Sequence, residues 1–277
     1  MPSEMRILVT GSTGFLGEHL CSLLAEQEVS FDRWKGDIAG IDGHPESADL
    51  VVHLAACTGS NDFESEPNRA FVVNVLGTQS VIEYCLRTGA RCIFSSTSGV
   101  YLPSPEPVDE NAPLGPTRLY PISKLLAEGL IQRAARFRNL KATILRFFNI
   151  YGPGQSGEFL IPYVVHSLAQ GEVPRLRMPE GIRDFIYVRD ACEAILRATQ
   201  VQECSTVLNI GSGTPSKVAE AVHILGALMR REVHFDRGEV HPGENEATVA
   251  AIERATQELD WQPRVSLKEG LRRVIKS

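Results

Sequence analysis

The stretch Arg6–Gly17, R-I-L-V-T-G-S-T-G-F-L-G, constrains this chain more than any other. The apolar run Ile7-Leu8-Val9 leads directly into glycines at 11, 14 and 17, and Leu16, Leu20, Leu23 and Leu24 follow with helical periodicity. This is strand, tight turn and helix, with small residues where backbone must approach something closely. A helix that opens at such a turn presents unpaired N–H groups and the positive end of its dipole, which together favour an anion. The spacing predicts a dinucleotide diphosphate held by Gly11, Thr13, Gly14, Phe15, Leu16 and Gly17. An ordinary glycine-rich βα turn has the same spacing.

Val29–Arg33 reads as a brief strand ending in an acid. Asp32 lies 21 residues after Gly11, where a dinucleotide fold places the carboxylate that binds the adenosine ribose. Arg33 beside it suits a 2′-phosphate, so NAD is expected and NADP stays open. Residues 35–49 leave no room for a full amphipathic helix, although parallel strands need a crossover of roughly a dozen residues. The second and third strands must be joined minimally, or one is vestigial. Leu50–Ala56 reads as a buried parallel strand whose small final residues leave space for a ligand at the sheet's crevice. His53 reads as a packed histidine.

Strands and helices alternate through the remainder, predicting a doubly wound parallel α/β sheet. The elements are a helix over 67–87, a strand from Arg91 ending in Ser95-Ser96-Thr97-Ser98, and a proline-rich loop over 101–116. A helix from Tyr120 to Arg138, a strand over Ala142–Phe147 and a sharp turn at 149–154 follow. Beyond 155 the elements shorten; Asp190-Ala191-Cys192-Glu193 has capping-box spacing, and Thr214-Pro215 reads as a helix cap. The expected division is 1–154 for the dinucleotide and 155–277 for a smaller substrate-binding subdomain, with some segments returning to the sheet.

A chain of 277 residues with net charge −6 gives no reason to expect a nucleic-acid partner. No apolar run approaches the roughly 18 residues of a membrane span, and the first residues lack the pattern of a signal peptide; the expectation is cytoplasmic. The six cysteines lack metal-ligand spacing, so no metal is expected, and Cys21, Cys85, Cys92 and Cys192 read as reduced core residues.

Tyr120, Lys124 and Thr97 form a candidate redox set. Tyr120 at a helix start and Lys124 one turn on share a face. A phenol with a pKa near 10 is a poor base at neutral pH, and a neighbouring ammonium, helped by a cationic nicotinamide ring, favours the phenolate. Thr97 can donate a hydrogen bond to the substrate oxygen whose proton Tyr120 removes. A helix-start aromatic beside a solvated lysine is the plainer alternative.

With these residues in view, the chain resembles the extended short-chain dehydrogenases/reductases of the NAD-dependent epimerase/dehydratase family, which act on nucleotide sugars. The marks are Thr10–Gly17, Gly36-Asp37-Ile38, His53-Leu54-Ala55-Ala56, Asn74 before Gly77-Thr78, and Phe94–Tyr101. Further marks are the Tyr120/Lys124 pair, Arg146–Asn149, Arg183–Val188, Asn209–Gly213 and Leu259–Pro263. The resemblance implies a Rossmann-type fold, with Asp37 and Ile38 at the adenine. It implies Leu54, Ala55, Ala56, Asn74 and Ser95 along the dinucleotide and Phe148 near the nicotinamide. Asn149 and Arg183 would bind substrate, and His241 stands where a second diphosphate-binding arginine is common. A surface ion pair of Arg183 with Asp184 or Glu180 is the alternative for that residue.

Family dehydratases follow the threonine with an Asp-Glu pair, and related sugar-acid decarboxylases keep the glutamate. This chain has Ser98 and Gly99, which argues against both reactions. The expected activity is a nucleotide-hexose 4-epimerase, with a 4-ketoreductase second and a non-catalytic NAD(P)-binding sensor third. A homodimer through the helix carrying Tyr120 is also implied.

Overall fold

The computed structural model describes residues 5–201, 205–240 and 247–276. The first half runs β1 (Ile7–Thr10), α1 (Phe15–Glu26), β2 (Phe31–Arg33), β3 (Leu50–His53), α2 (Ser60–Ser65), α3 (Pro67–Phe71), α4 (Gly77–Thr88), β4 (Arg91–Thr97), α5 (Leu119–Arg138) and β5 (Ala142–Phe147). It continues with β6 (Asn149–Tyr151), α6 (Leu160–Gln170), β7 (Arg175–Leu176), β8 (Ile182–Tyr187), α7 (Val188–Gln200) and β9 (Ser205–Ile210). The last elements are β10 (Pro215–Lys217), α8 (Val218–Met229), β11 (Asp236–Arg237), β12 (Ala247–Thr248), α9 (Glu253–Leu259) and α10 (Leu267–Lys276).

A six-stranded sheet in the order β2-β1-β3-β4-β5-β9 is parallel throughout. Its strands alternate between two cores. Ile7 and Val9 of β1 face a core shared with α1 and α7, while Leu8 faces one built with α4 and α5. Burial on both faces is why these strands are nearly continuous apolar runs. The chain leaves β1 outward to β2 and returns on the other side as β3. This reversal makes the carboxyl ends of β1 and β3 the crevice where such sheets take their ligands.

The joint between β2 and β3 is minimal, as the short segment requires. A single 3-10 stretch, Ile38–Gly43, crosses over, started by the Asp37 carboxylate, which accepts the Ala39 N–H at 3.1 Å. Ile38 and Ile41 are buried against α4, and a Cβ on Gly77 would lie 2.5 Å from Ile38 Cγ2. β2 itself has three residues.

The second half contributes β9 to the central sheet and builds a smaller sheet, β10-β8-β12, with β6 also paired to β8. Two local expectations are corrected here. Pro215–Lys217 is a strand antiparallel to β8, so Thr214-Pro215 is not the cap of α8, which begins after Lys217. α7 begins at Val188, two residues before Asp190. The Asp190 carboxylate instead accepts the N–H groups of Arg264 and Val265 at 3.0 and 2.9 Å, holding the segment before α10. In both places a long-range partner outweighs the local capping preference. Cys21, Cys85, Cys92 and Cys192 are buried and free. Among the described residues, no helix is long and apolar enough to cross a membrane.

Candidate active site

The glycine turn divides its labour. Gly11 has φ +66°, and a Cβ there would lie 2.5 Å from the Ala55 nitrogen; a Cβ on Gly17 would lie 2.1 Å from the Gly11 oxygen. Both glycines are demanded by backbone packing within the fold. Gly14 is different. A Cβ on it would meet only the Gly11 oxygen, at an ordinary 3.4 Å, and it is the exposed N-cap of α1 with no side-chain cap. The first N–H groups of α1, from Phe15, Leu16 and Gly17, precede any partner within the helix and follow exposed Thr13 and Gly14. Ser12 Oγ is buried there without a hydrogen-bond partner. An uncapped helix end and an orphaned hydroxyl fit the diphosphate of a dinucleotide.

Around this turn, Leu54, Ala55 and Ala56 leave β3 half-buried. Asp32 and Arg33 are exposed on β2, with Arg33 in register with Val9 at the carboxyl end of β1. Asp37 caps the 3-10 stretch, and Ile38 lies beneath it. Asn74 sits in a π-helical turn, Val72–Leu76. Its amide is fully engaged: Oδ1 accepts Cys57 N–H at 2.8 Å, and Nδ2 donates to Cys57 O at 3.0 Å and Ser123 Oγ at 2.9 Å.

β4 ends at Thr97, whose Oγ1 accepts the Gly99 N–H at 3.2 Å and so keeps its own proton for donation. α5 begins alongside. Its Pro121 packs on Gly99, where a Cβ would lie 2.8 Å from Pro121 Cγ. This contact brings Thr97 and the turn carrying Tyr120 together. Tyr120 is half-buried, its ring centroid 6.1 Å from that of Phe63. Lys124 is only 2% exposed; Nζ donates to the Ser95 carbonyl at 2.6 Å and lies 4.6 Å from the centre of the Phe94 ring.

Burial governs the protonation of this pair. It pushes the Lys124 ammonium down to about 7, opposed by the Glu128 carboxylate one turn on, and it pushes the Tyr120 phenol up. Burial thus favours the neutral form of both groups, so the phenolate expected of Tyr120 depends on the positive charges of Lys124 and of a nicotinamide ring acting together. Beneath them, Glu128 forms a buried ion pair with Arg146 at 2.7 Å. Arg146 also donates to Tyr101 Oη at 2.8 Å, and Tyr101 donates to Asn209 Oδ1 at 2.7 Å.

Thr97, Gly99, Pro121, Asn149, Met178, Arg183 and Thr248 all line one cavity of about 1360 Å³. Asn149 Nδ2 donates to the Asp184 carbonyl at 3.0 Å. Arg183 Nη1 donates to the Ile182 carbonyl at 3.0 Å. Asp184 is wholly buried and accepts from Ser212 N and Oγ, Gly213 N and Ala250 N, while Glu180 pairs with Lys217. Phe148 is buried beside Tyr101, at 6.4 Å between ring centres. His241 lies outside the described residues. Sequence reasoning missed Arg118, Arg175, Arg177 and Arg237, which also line the cavity. Arg175 opens the two-residue strand β7 and Arg177 directly follows it; the other two stand in segments without a motif. Among the described residues, no group of three or more His, Cys, Asp or Glu side chains could hold a metal ion.

This geometry has close counterparts. UDP-glucuronic acid decarboxylase 6 of Arabidopsis thaliana is 29% identical over 97% of this chain and 87% of its own. The structure of MoeE5 in complex with UDP-glucose and NAD superposes with a TM-score of 0.91 at 30% identity, covering 98% of this chain and 97% of its own. UDP-glucose 4-epimerase of Thermotoga maritima with UDP-glucose gives 0.90 at 27% identity, covering 98% of each chain. The profile of the NAD dependent epimerase/dehydratase family matches residues 7–211. With the glycine turn, the strand-end threonine and the Tyr-Lys helix on one sheet edge, the chain belongs to the NAD dependent epimerase/dehydratase family.

Proposed function

We propose that the protein is a nucleotide-hexose 4-epimerase acting through Thr97, Tyr120 and Lys124. One observation carries the reading: Thr97 ends β4 in the wall of the large cavity, directly beside the first turn of α5. In this reading Gly11, Thr13, Gly14, Phe15, Leu16 and Gly17 hold the diphosphate of NAD, and Asp32 and Arg33 stand at its adenosine end. When bound, the dinucleotide supplies reversible two-electron oxidation of the sugar carbon. Tyr120 removes the proton of the C4 hydroxyl and returns it. Thr97 donates to the same oxygen, since its Oγ1 accepts the Gly99 N–H and keeps its own proton for donation. Lys124, fixed on Ser95, holds positive charge beneath the tyrosine when protonated. Arg183 and Asn149, on the lining of the same cavity, meet the substrate's diphosphate and sugar, a guanidinium being suited to phosphate oxygens.

Gly99 supports this reading over decarboxylation, because Pro121 occupies the space of a side chain at 99. A 4-ketoreductase uses the same three residues with Tyr120 as acid; exposed Arg33, suited to a 2′-phosphate, supports it as the second reading. The test incubates the protein with NAD, NADH or NADPH and a panel of UDP-, dTDP- and GDP-sugars and their 4-keto forms. Isomer conversion without net cofactor change is expected; stoichiometric loss of reduced cofactor makes it a reductase. Unchanged sugars, with Tyr120→Phe indistinguishable from the parent, overturn the enzymatic reading.

The reading includes a homodimer. Leu119, Leu126 and Phe137 are exposed along one face of α5, and Val72 and Leu76 are exposed on the neighbouring turn before α4. An apolar stripe of this kind suits a second copy of the same helices.

A further inference from the structure

Two buried hydrogen-bond series that meet at Asn74 join the glycine turn to the first turn of α5, and every proton in them has one allowed position. Thr78 Oγ1 donates to the Asn74 carbonyl at 2.7 Å. Its single proton is thereby used, so its contact of 3.1 Å with His53 Nε2 requires Nε2 to be the donor. His53 is wholly buried among Thr10, Thr78 and the Phe94 ring, with the Lys124 charge also acting on it. Burial holds the imidazole neutral, with its pKa down to about 3. A neutral ring protonated at Nε2 has an acceptor at Nδ1, so Nδ1 accepts the Thr10 hydroxyl at 2.8 Å. Thr10 Oγ1 in turn accepts the Ala55 N–H at 3.2 Å. That nitrogen is the one against which Gly11 packs.

At the other end, Asn74 Nδ2 donates to Ser123 Oγ at 2.9 Å, and Ser123 donates to the Tyr120 carbonyl at 2.7 Å. The first series runs from the Ala55 N–H to the Asn74 carbonyl and the second from the Asn74 side-chain amide to the Tyr120 carbonyl, groups that cannot exchange roles. The polarity of each is fixed, so neither can pass a proton along itself. A series that cannot conduct can still set positions. Asn74 stands where the two meet, in a π-helical turn whose extra residue re-aims a helix face.

We propose that His53, Thr78, Asn74 and Ser123 are positioning residues that set the Tyr120 turn against the glycine turn, with His53 fixed as its Nε2–H tautomer. The proposal rests on the oxidoreductase reading for its effect on turnover, but its geometry does not. Two measurements test it. Long-range proton–nitrogen NMR, with the His53 signals identified by their loss in His53→Gln, reads the tautomer. Nε2–H with unprotonated Nδ1 is expected; an Nδ1–H or doubly protonated ring at neutral pH overturns the proposal.

The second uses Ser123→Ala and the isosteric Thr78→Val, with Thr78→Ser as the conservative variant. Thr78→Val is expected to move the Tyr120 ring resonances, identified through Tyr120→Phe, and Thr78→Ser to restore them. In Ser123→Ala, kcat is expected to fall about tenfold with KM within about twofold, since small misplacements of a reacting group act on the chemical step. Tyr120 resonances that stay in place in folded Thr78→Val, or an unchanged kcat in folded Ser123→Ala, overturn it. If the parent turns over no sugar while the tautomer and the Tyr120 shifts are as expected, the oxidoreductase reading fails and the positioning assignment stands.

Discussion

Gly99 and Pro121 are packed so closely that a Cβ at position 99 would lie 2.8 Å from the proline Cγ. The proline ring is stiff and sits in the first turn of α5, so a side chain at 99 must displace the turn that carries Tyr120. Gly99→Glu is predicted to cost about 1–3 kcal/mol by overpacking and to lower turnover. It should release no carbon dioxide from a nucleotide-linked uronic acid. Thermal denaturation and a carbon dioxide assay check both parts; decarboxylation by Gly99→Glu would show that the glycine alone withheld that activity.

Gly17 and Gly14 should separate folding from binding. In Gly17→Ala the new methyl meets the Gly11 oxygen at 2.1 Å, so the thermal midpoint should drop sharply. In Gly14→Ala the methyl meets ordinary contact distance and an open helix end. The midpoint should hold within about a kcal/mol while dinucleotide binding, followed by calorimetry, weakens.

Lys124 gives stability a pH signature. Its folded value, about 7, lies below the ordinary 10.5. Above pH 7 the native chain has released this proton while the unfolded chain still holds it, so stability rises with pH until the ordinary lysine range. Below pH 7 the burial of the ammonium opposes folding in full. The parent should therefore gain stability relative to Lys124→Met as pH rises between about 7 and 10. Denaturation midpoints that run parallel across this range would contradict the burial of a titrating ammonium.

The Glu128–Arg146 pair is buried on both sides, at 1% and 3% side-chain exposure. Glu128→Gln leaves the guanidinium without its counter-charge and should cost about 3–5 kcal/mol in urea unfolding. Glu128→Leu combined with Arg146→Met should recover much of that loss, because an apolar pair needs no desolvation.

The exposed stripe on α5 makes the homodimer testable. Leu126→Glu and Phe137→Glu place charge on residues that are 51% and 67% exposed, so the monomer should fold with little change. Sedimentation should show the parent as a dimer and the double variant as a monomer. A monomeric parent would remove this part of the reading.

What could be read from sequence depended on how local its cause is. The turn at Gly11–Gly17, the placement of Tyr120 at a helix start and the strand Ala142–Phe147 each follow from neighbouring residues, and each forms. Thr214-Pro215 and Asp190 looked like caps because their real partners, β8 and the residues 264–265, are distant in sequence. His53 was legible as buried, but its tautomer depends on Thr10 and Thr78, one on each side of the chain. The cavity arginines at 118, 175, 177 and 237 are gathered by tertiary folding: β7, which holds Arg175, pairs with β11, which holds Arg237, while Arg118 immediately precedes α5. The fold was therefore more legible than the lining of the cavity.

The pairing of β9 with β5 also sets an order of events during synthesis. All six residues of β5 are buried, and one of its two edges is covered only by residues 205–210. Until that segment leaves the ribosome, the strands made before it carry an open edge capable of pairing with any extended chain nearby. The part of the central sheet that is made first is thus sealed on this side only late.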